Sequence, residues 1–283
     1  MISIIICSRT QIISNDLSEN IKDTVGCEYE LIVIDNSENT YSIFEAYNLG
    51  IDKSTGDYLC FIHDDILFHT EEWGIVIQGV FSENKKIGLL GIAGAKTKTK
   101  IPSVWWNCPQ EHMVMNIIQH YPDKEKERHN IGFEKESIQK AVVIDGVFMV
   151  MRKDKNICFS TEMEGFHNYD LNISFECIKN GHEVMVTNEI LIEHFSMGTI
   201  NKAWVDSAYK IHNLYKVNLP LSIWKNKTNK KLEVANAIRF INKCLDYKKN
   251  KMAISNWAVL FFVHPISKYH YRFWKRIIKN SLC

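Results

Sequence analysis

Apolar residues alternate between two rhythms along the first two-thirds of this chain. Ile2 to Cys7 is an almost unbroken apolar run, the pattern of a strand covered on both faces. A weakly helical stretch follows and closes near Gly26, and Glu30 to Asp35 repeats the strand pattern. Ile43, Phe44, Tyr47 and Ile51 then recur at helical spacing, and Gly56 ends that segment before a third strand runs from Asp57 into His63. Thr70 is placed to cap a further helix, with Glu71 and Glu72 in its first turn and Trp73, Val76, Ile77 and Val80 as its apolar face. Ile87 to Ala93 gives a fourth strand. This β-α-β-α-β-α-β order predicts a Rossmann-like α/β fold with a mainly parallel sheet flanked by helices.

Beyond it the rhythm fails. Residues 96–140 show no clear period and predict a lid or mobile insertion. Its Trp105 and Trp106 are suited either to stack on a sugar ring or to pack the lid on the core, and the Lys/Glu run 123–128 reads as a solvated face. A helix is expected from Asp170, with Leu171, Phe175 and Ile178 on one face and Gly181 at its end. The chain past residue 200 reads as helical, with Leu232, Ala235, Ile238, Ile241 and Leu245 forming one stripe.

Charge changes the picture at the same place. Residues 1–200 carry a net −13 and residues 201–283 a net +14, although the whole chain is only +1. That asymmetry sets off a basic C-terminal extension with a partner of its own. Aromatics mixed with Lys and Arg there suit a helix lying on an anionic membrane surface or, alternatively, helices packed on the main domain. Its longest apolar run is too short to span a bilayer, and no reader motif points to nucleic acid. The eight cysteines show no paired spacing, which predicts free thiols in a cytoplasmic protein, and the apolar N-terminus reads as a strand rather than a leader.

Three predicted strands end in polar groups: Ser8 and Arg9, Asp35 and Asn36, and His63-Asp64-Asp65. In a doubly wound sheet such ends share one rim, where ligands bind. Paired carboxylates there suit a divalent cation and a diphosphate, or else a solvated turn. Neither GxGxxG after the first strand nor GxxxxGK[ST] occurs.

Taken together, Ile2-Ser-Ile-Ile-Ile6, Val33-Ile-Asp35-Asn36-Ser37, Ala46-Tyr-Asn48-Leu-Gly50, Gly56 to Asp65, Val143 to Arg152, Gly165 to Leu171 and Ile192 to Ser196 resemble the family 2-type glycosyltransferases of GT-A fold. The likeness spans about residues 1–200 and is nearest to the bacterial members with HDD and HxYD motifs. It implies a nucleotide-binding half over 1–95, the insertion over 96–140 and an acceptor half over 141–200. It implies an inverting, metal-dependent transfer from a nucleotide-diphosphate sugar, a UDP-sugar favoured, to a saccharide or lipid-linked acceptor in surface glycan synthesis; a membrane-bound basic tail would set this at the inner face of the membrane. Ser8, Arg9, Asp35, Asn48 and Asp64 fall at nucleotide-binding positions, and Asp65 with His194 at those holding Mn2+ or Mg2+. Asp145, Gly146 and His167 fall near the donor sugar and acceptor, and Asp170 matches the general base, or simply caps its helix. His63 stands where many members carry a further Asp. Two alternatives share such a core: a non-catalytic nucleotide- or sugar-binding protein, and a sugar-phosphate nucleotidyltransferase, which would be expected to carry a basic phosphate loop where only Arg9 is present.

Overall fold

Continuous apolar runs become strands here because both faces of the main sheet are covered. In a computed structural model describing residues 1–224 and 229–282, the elements in chain order begin with β1 (Ile2–Ser8), α1 (Asn15–Thr24), β2 (Tyr29–Asp35), α2 (Ile43–Lys53), β3 (Tyr58–Ile62), β4 (Ile66–Phe68), α3 (Trp73–Glu83) and β5 (Ile87–Gly91). There follow β6 (Ala93–Ala95), β7 (Thr97–Lys98), β8 (Met113–Tyr121), β9 (Lys124–Ile131), β10 (Ile138–Ala141), β11 (Val143–Ile144), β12 (Phe148–Arg152), α4 (Tyr169–Lys179), β13 (Glu183–Thr187) and β14 (Ile192–His194). Last come α5 (Lys202–Leu214), β15 (Leu221–Ser222), α6 (Lys230–Asp246), α7 (Asn250–Val263) and α8 (Lys268–Leu282). Lys225, Lys227 and Cys283 lie outside the described residues.

The main sheet has the order β10-β13-β5-β12-β3-β1-β2. Its strands share one direction except β10 and β12, which run against their neighbours. Consecutive side chains of β1 feed separate cores: Ile5 packs with Phe44 and Tyr47 of α2, and Ile4 and Ile6 with Leu17 of α1 and Trp73 of α3. Helices therefore cover both faces, as the strand–helix alternation predicts. A second sheet, β11-β6-β8-β14-β4 with β9 beside β8, stands against the rim of the first.

Two expectations need correction. Residues 96–140 are not an irregular lid, because β8 and β9 form a long antiparallel hairpin within them. β9, Lys-Glu-Lys-Glu-Arg-His-Asn-Ile, is exposed over its first five residues, so an edge strand without an apolar face carried no two-residue period. Thr70 does not cap α3, since its Oγ1 accepts the Leu191 N–H at 2.9 Å and the helix starts from Glu72 at φ 56°.

The charge break near residue 200 does not coincide with a break in packing. Ile211, Tyr215 and Leu219 belong to the core under the main sheet, while Ile101 and Val104 pack with α5 and α6.

Candidate active site

Register assembles the rim. Ser8 lies opposite Asp35 and Ile6 opposite Ile62, so Arg9, Asp35 and His63-Asp64-Asp65 emerge side by side from three parallel strands. At His63–Asp65 the chain leaves β3 of the main sheet and enters β4 of the second. β14 pairs antiparallel with β4 and sets His194 opposite Ile66, beside Asp65. Residues about 130 apart in sequence are thereby brought together: His63 Nδ1 lies 3.4 Å from His194 Nε2, and Asp65 Oδ1 lies 3.5 Å from His194 Nε2 and 3.8 Å from His63 Nδ1.

These three ligand atoms lie within 4.8 Å of one another. None of those separations is a good hydrogen bond, and two imidazole nitrogens face each other across the gap. His194 is held in one orientation. Gln119 Nε2 donates to the Ser196 carbonyl at 2.7 Å, which turns Oε1 to accept the His194 Nδ1–H at 3.0 Å. That leaves the Nε2 lone pair of His194 directed at Asp65 and His63, the arrangement of a metal-ligating histidine with its supporting partner. Burial pushes the Asp65 carboxyl up, but the neighbouring His194, Ser196 and His63 outweigh it and hold the group well below the usual range. Burial and then His194 lower the pKa of His63, so its imidazole is neutral. Two imidazole nitrogens and one carboxylate fit a divalent transition ion.

Arg9 and Asp64, each placed by sequence at the nucleotide, pair with one another. Arg9 Nη2 approaches Asp64 Oδ1 at 2.5 Å and Asp65 Oδ2 at 3.1 Å, and the Arg9 backbone N–H donates to Asp64 at 2.9 Å. The guanidinium thus offsets the repulsion between adjacent carboxylates. His63 is fixed from behind by the Tyr169 hydroxyl, 2.5 Å from its Nε2. A Cβ on Gly146 would lie 2.3 Å from that hydroxyl, so Gly146 is required by the ring of Tyr169.

Asp170 follows in the first turn of α4. It is not the cap: Asn168 holds that position at φ 62°, and Asp170 Oδ1 accepts the N–H of Leu171 at 2.8 Å. Burial pushes its carboxyl up to about 7, helped by Asp145 and opposed by the Leu171 N–H and Lys98. Asp145 is fully engaged, accepting from the Val147 N–H at 2.9 Å and from Trp105 Nε1 at 2.7 Å. Trp105 therefore packs, whereas Trp106 is exposed and sits edge-on against it, 5.4 Å between ring centres.

Other sequence candidates make bonds within the chain. The Asn48 carboxamide bonds both the N–H and the carbonyl of Phe159, tying α2 to the segment before α4 rather than presenting a free group to a nucleotide. The buried Ser8 hydroxyl pairs with Thr10, and Asp35 accepts from the Ser37 N–H. His167, lowered in pKa by burial against a hydrogen bond that it donates to Asn201, contacts the start of α5. Gln119, Tyr169 and Lys98 were not legible as site residues. Lys98 is buried and bonds the carbonyl and hydroxyl of Ser103, and burial pulls its ammonium down to about 7 although Asp170 and Glu233 act to raise it.

The fold recurs in solved structures. S. aureus TarS 1-349 in complex with UDP-GlcNAc superposes with a TM-score of 0.53 at 10% identity, covering 99% of this chain and 88% of that one. GalNAc-T7 with UDP, GalNAc and Mn2+ gives 0.51 at 8% identity over 84% of this chain, which spans half the length of that relative. At such identities the likeness establishes the fold alone. No curated protein matches the sequence. The profile of the glycosyltransferase-like family, however, matches residues 3–232, beyond the charge break and across the whole rim. On that match, and with this fold, the chain belongs to the glycosyltransferase-like family and is a glycosyltransferase of GT-A fold.

Proposed function

We propose that the chain transfers a sugar from a UDP-sugar, with inversion, to a hydroxyl of a saccharide or lipid-linked acceptor in surface glycan synthesis. The observation that carries this reading is the convergence on one rim of an unclosed His63–Asp65–His194 cluster and of Asp170, whose pKa is pushed up to about 7. Histidine, aspartate and histidine would hold Mn2+ in preference to Mg2+, which takes oxygen ligands. Bound there, the ion would stabilise the negative charge of the departing diphosphate. The complexes of TarS with UDP-GlcNAc and of GalNAc-T7 with UDP and Mn2+ support the choice of donor and metal.

The chain's own residues supply the remaining steps. Asp35 and Arg9 stand beside the nucleotide, Arg9 being able to exchange its Asp64 partner for a phosphate oxygen. Asp170 accepts the acceptor's proton as the hydroxyl attacks the anomeric carbon, and a pKa near 7 suits that exchange at neutral pH. Asp145, with hydrogen bonds to both oxygens, holds Trp105 and the loop before β12 in place rather than sharing the proton transfer. A single displacement assisted by one base inverts the anomeric centre. The exposed ring of Trp106 is offered to the sugar face. Seven free cysteines among the described residues suit the reducing cytoplasm.

Incubation with UDP-glucose, UDP-galactose or UDP-N-acetylglucosamine, Mn2+ and saccharide acceptors tests the reading. Release of UDP with a product of inverted anomeric configuration by NMR is expected. A product of retained configuration would contradict the role given to Asp170.

A further inference from the structure

Helices α7 and α8 leave more apolar side chains exposed than they bury. α7 is apolar nearly all round: it buries Ala253, Asn256 and Leu260 and leaves Ile254, Val259, Phe261 and Phe262 exposed. Such a helix normally lies inside a core or against lipid. On α8, Phe273 and Ile277 face inward. Trp274, Ile278 and Tyr271 follow around the helix at about 100–160° from Phe273 and are exposed, and Lys275, Lys268, Lys279 and Arg272 come next at about 200–260°. The apolar arc is therefore wider than its covered part, and its open flank borders a basic stripe. The patch is continuous across both helices, since Trp257 lies 5.5 Å from Phe261 and 5.0 Å from Trp274 between ring centres. At the turn joining the helices, Phe262 is 84% and Ile266 90% exposed.

We infer that the α7–α8 hairpin docks on an anionic lipid surface, with Phe262, Ile266, Trp274 and Ile278 entering the interface and the basic stripe meeting the headgroups. Charge decides the occupant. From Tyr247 to the end the sequence has eight Lys and Arg and no Asp or Glu. Only Lys249, paired with Asp206, and Arg276, paired with Asp246, have ion-pair partners among the described residues. A second copy seated on the same patch would bring two such surfaces together, and a nucleic acid would leave Phe262 and Ile266 facing phosphates. An anionic bilayer satisfies both features at once. No described helix is long and apolar enough to cross a membrane, so the contact lies in the interface plane.

Flotation of the full chain with vesicles tests this independently of turnover. The chain should float with equimolar phosphatidylcholine–phosphatidylglycerol vesicles and stay behind with phosphatidylcholine alone. Lys275→Glu/Lys279→Glu should weaken partitioning roughly tenfold or more, and Phe262→Ser/Ile266→Ser about tenfold. All four side chains are exposed, so the thermal transition and UDP binding should be unchanged in both variants. Failure to float with the anionic vesicles, or equal flotation with both kinds, would overturn the proposal. So would a wild-type dimer in sedimentation velocity that Phe262→Ser/Ile266→Ser converts to monomer without altering flotation.

Discussion

Glu193 and His194 are neighbours on β14, and each gathers a cluster of histidines and carboxylates, yet the two clusters differ in kind. On one face Glu193, buried, accepts from His69 Nε2 at 2.7 Å, His120 Nε2 at 2.6 Å and Lys126 Nζ at 2.7 Å. Every group there is closed by a short hydrogen bond, and the result ties β4, β8, β9 and β14 together. On the other face His63, Asp65 and His194 stand 3.4–3.8 Å apart with ring nitrogens opposed. The residue types are almost the same. On the proposed reading, what separates a structural knot from an ion site is whether the hydrogen bonds close without the ion.

The largest effect expected at the site is on chemistry. Asp170→Asn should lower kcat by about a thousandfold while donor binding persists. The same variant should be more stable than wild type at pH 8. Folding raises the Asp170 carboxyl from 3.8 to about 7, so this group lowers stability as pH rises from about 4 to 7, and the amide removes that penalty. Thermal melts at pH 5 and pH 8 check the sign. The wild-type rate should correspondingly rise through about pH 7 as Asp170 loses its proton. A rate flat across pH 6–8, with kcat unchanged in the variant, would remove Asp170 from the mechanism.

Next come two substitutions that divide the clusters. Gln119→Leu should weaken Mn2+ binding about 10–100-fold, because His194 loses the partner that fixes its tautomer. Glu193→Gln should leave Mn2+ affinity intact and reduce stability by about 2 kcal/mol, as a buried charge with three partners is lost. Mn2+ titration and denaturant melts of both variants would break the comparison if each affected both quantities alike.

The smallest effect is in acid. Burial pushes Glu193 up, but Lys126, His120 and His69 outweigh it and hold the carboxyl at about 2, against 4.5 when unfolded. Its contribution is therefore present above pH 4.5 and fades as pH falls toward 2. Glu193→Gln should flatten that part of the acid-unfolding curve.

Sequence legibility follows the same division between local and distant causes. β1, β2, β3 and α2 were readable because two-sided burial writes continuous or helical apolar runs into short windows. β9 was not, since an exposed edge strand needs no apolar residue. At the site, Asp65, His194 and Asp170 sit at element ends with a local pattern around them. Gln119 acquires its role only through His194, 75 residues away, and lies in a hairpin whose outer strand carries no signal. Asn48 erred the other way: its position suggested a nucleotide, while its partner is the backbone of Phe159, 111 residues on. Position β12 also took from tertiary pairing, since nothing local shows that it enters the sheet between β3 and β5.

The most direct test is calorimetric titration of UDP, with and without Mn2+, into the wild type and Asp65→Ala. UDP binding that requires Mn2+ and disappears in the variant is the result predicted from an ion site left open at His63, Asp65 and His194. Binding indifferent to both the metal and Asp65 would contradict it, and would make this cluster a second structural knot like that around Glu193.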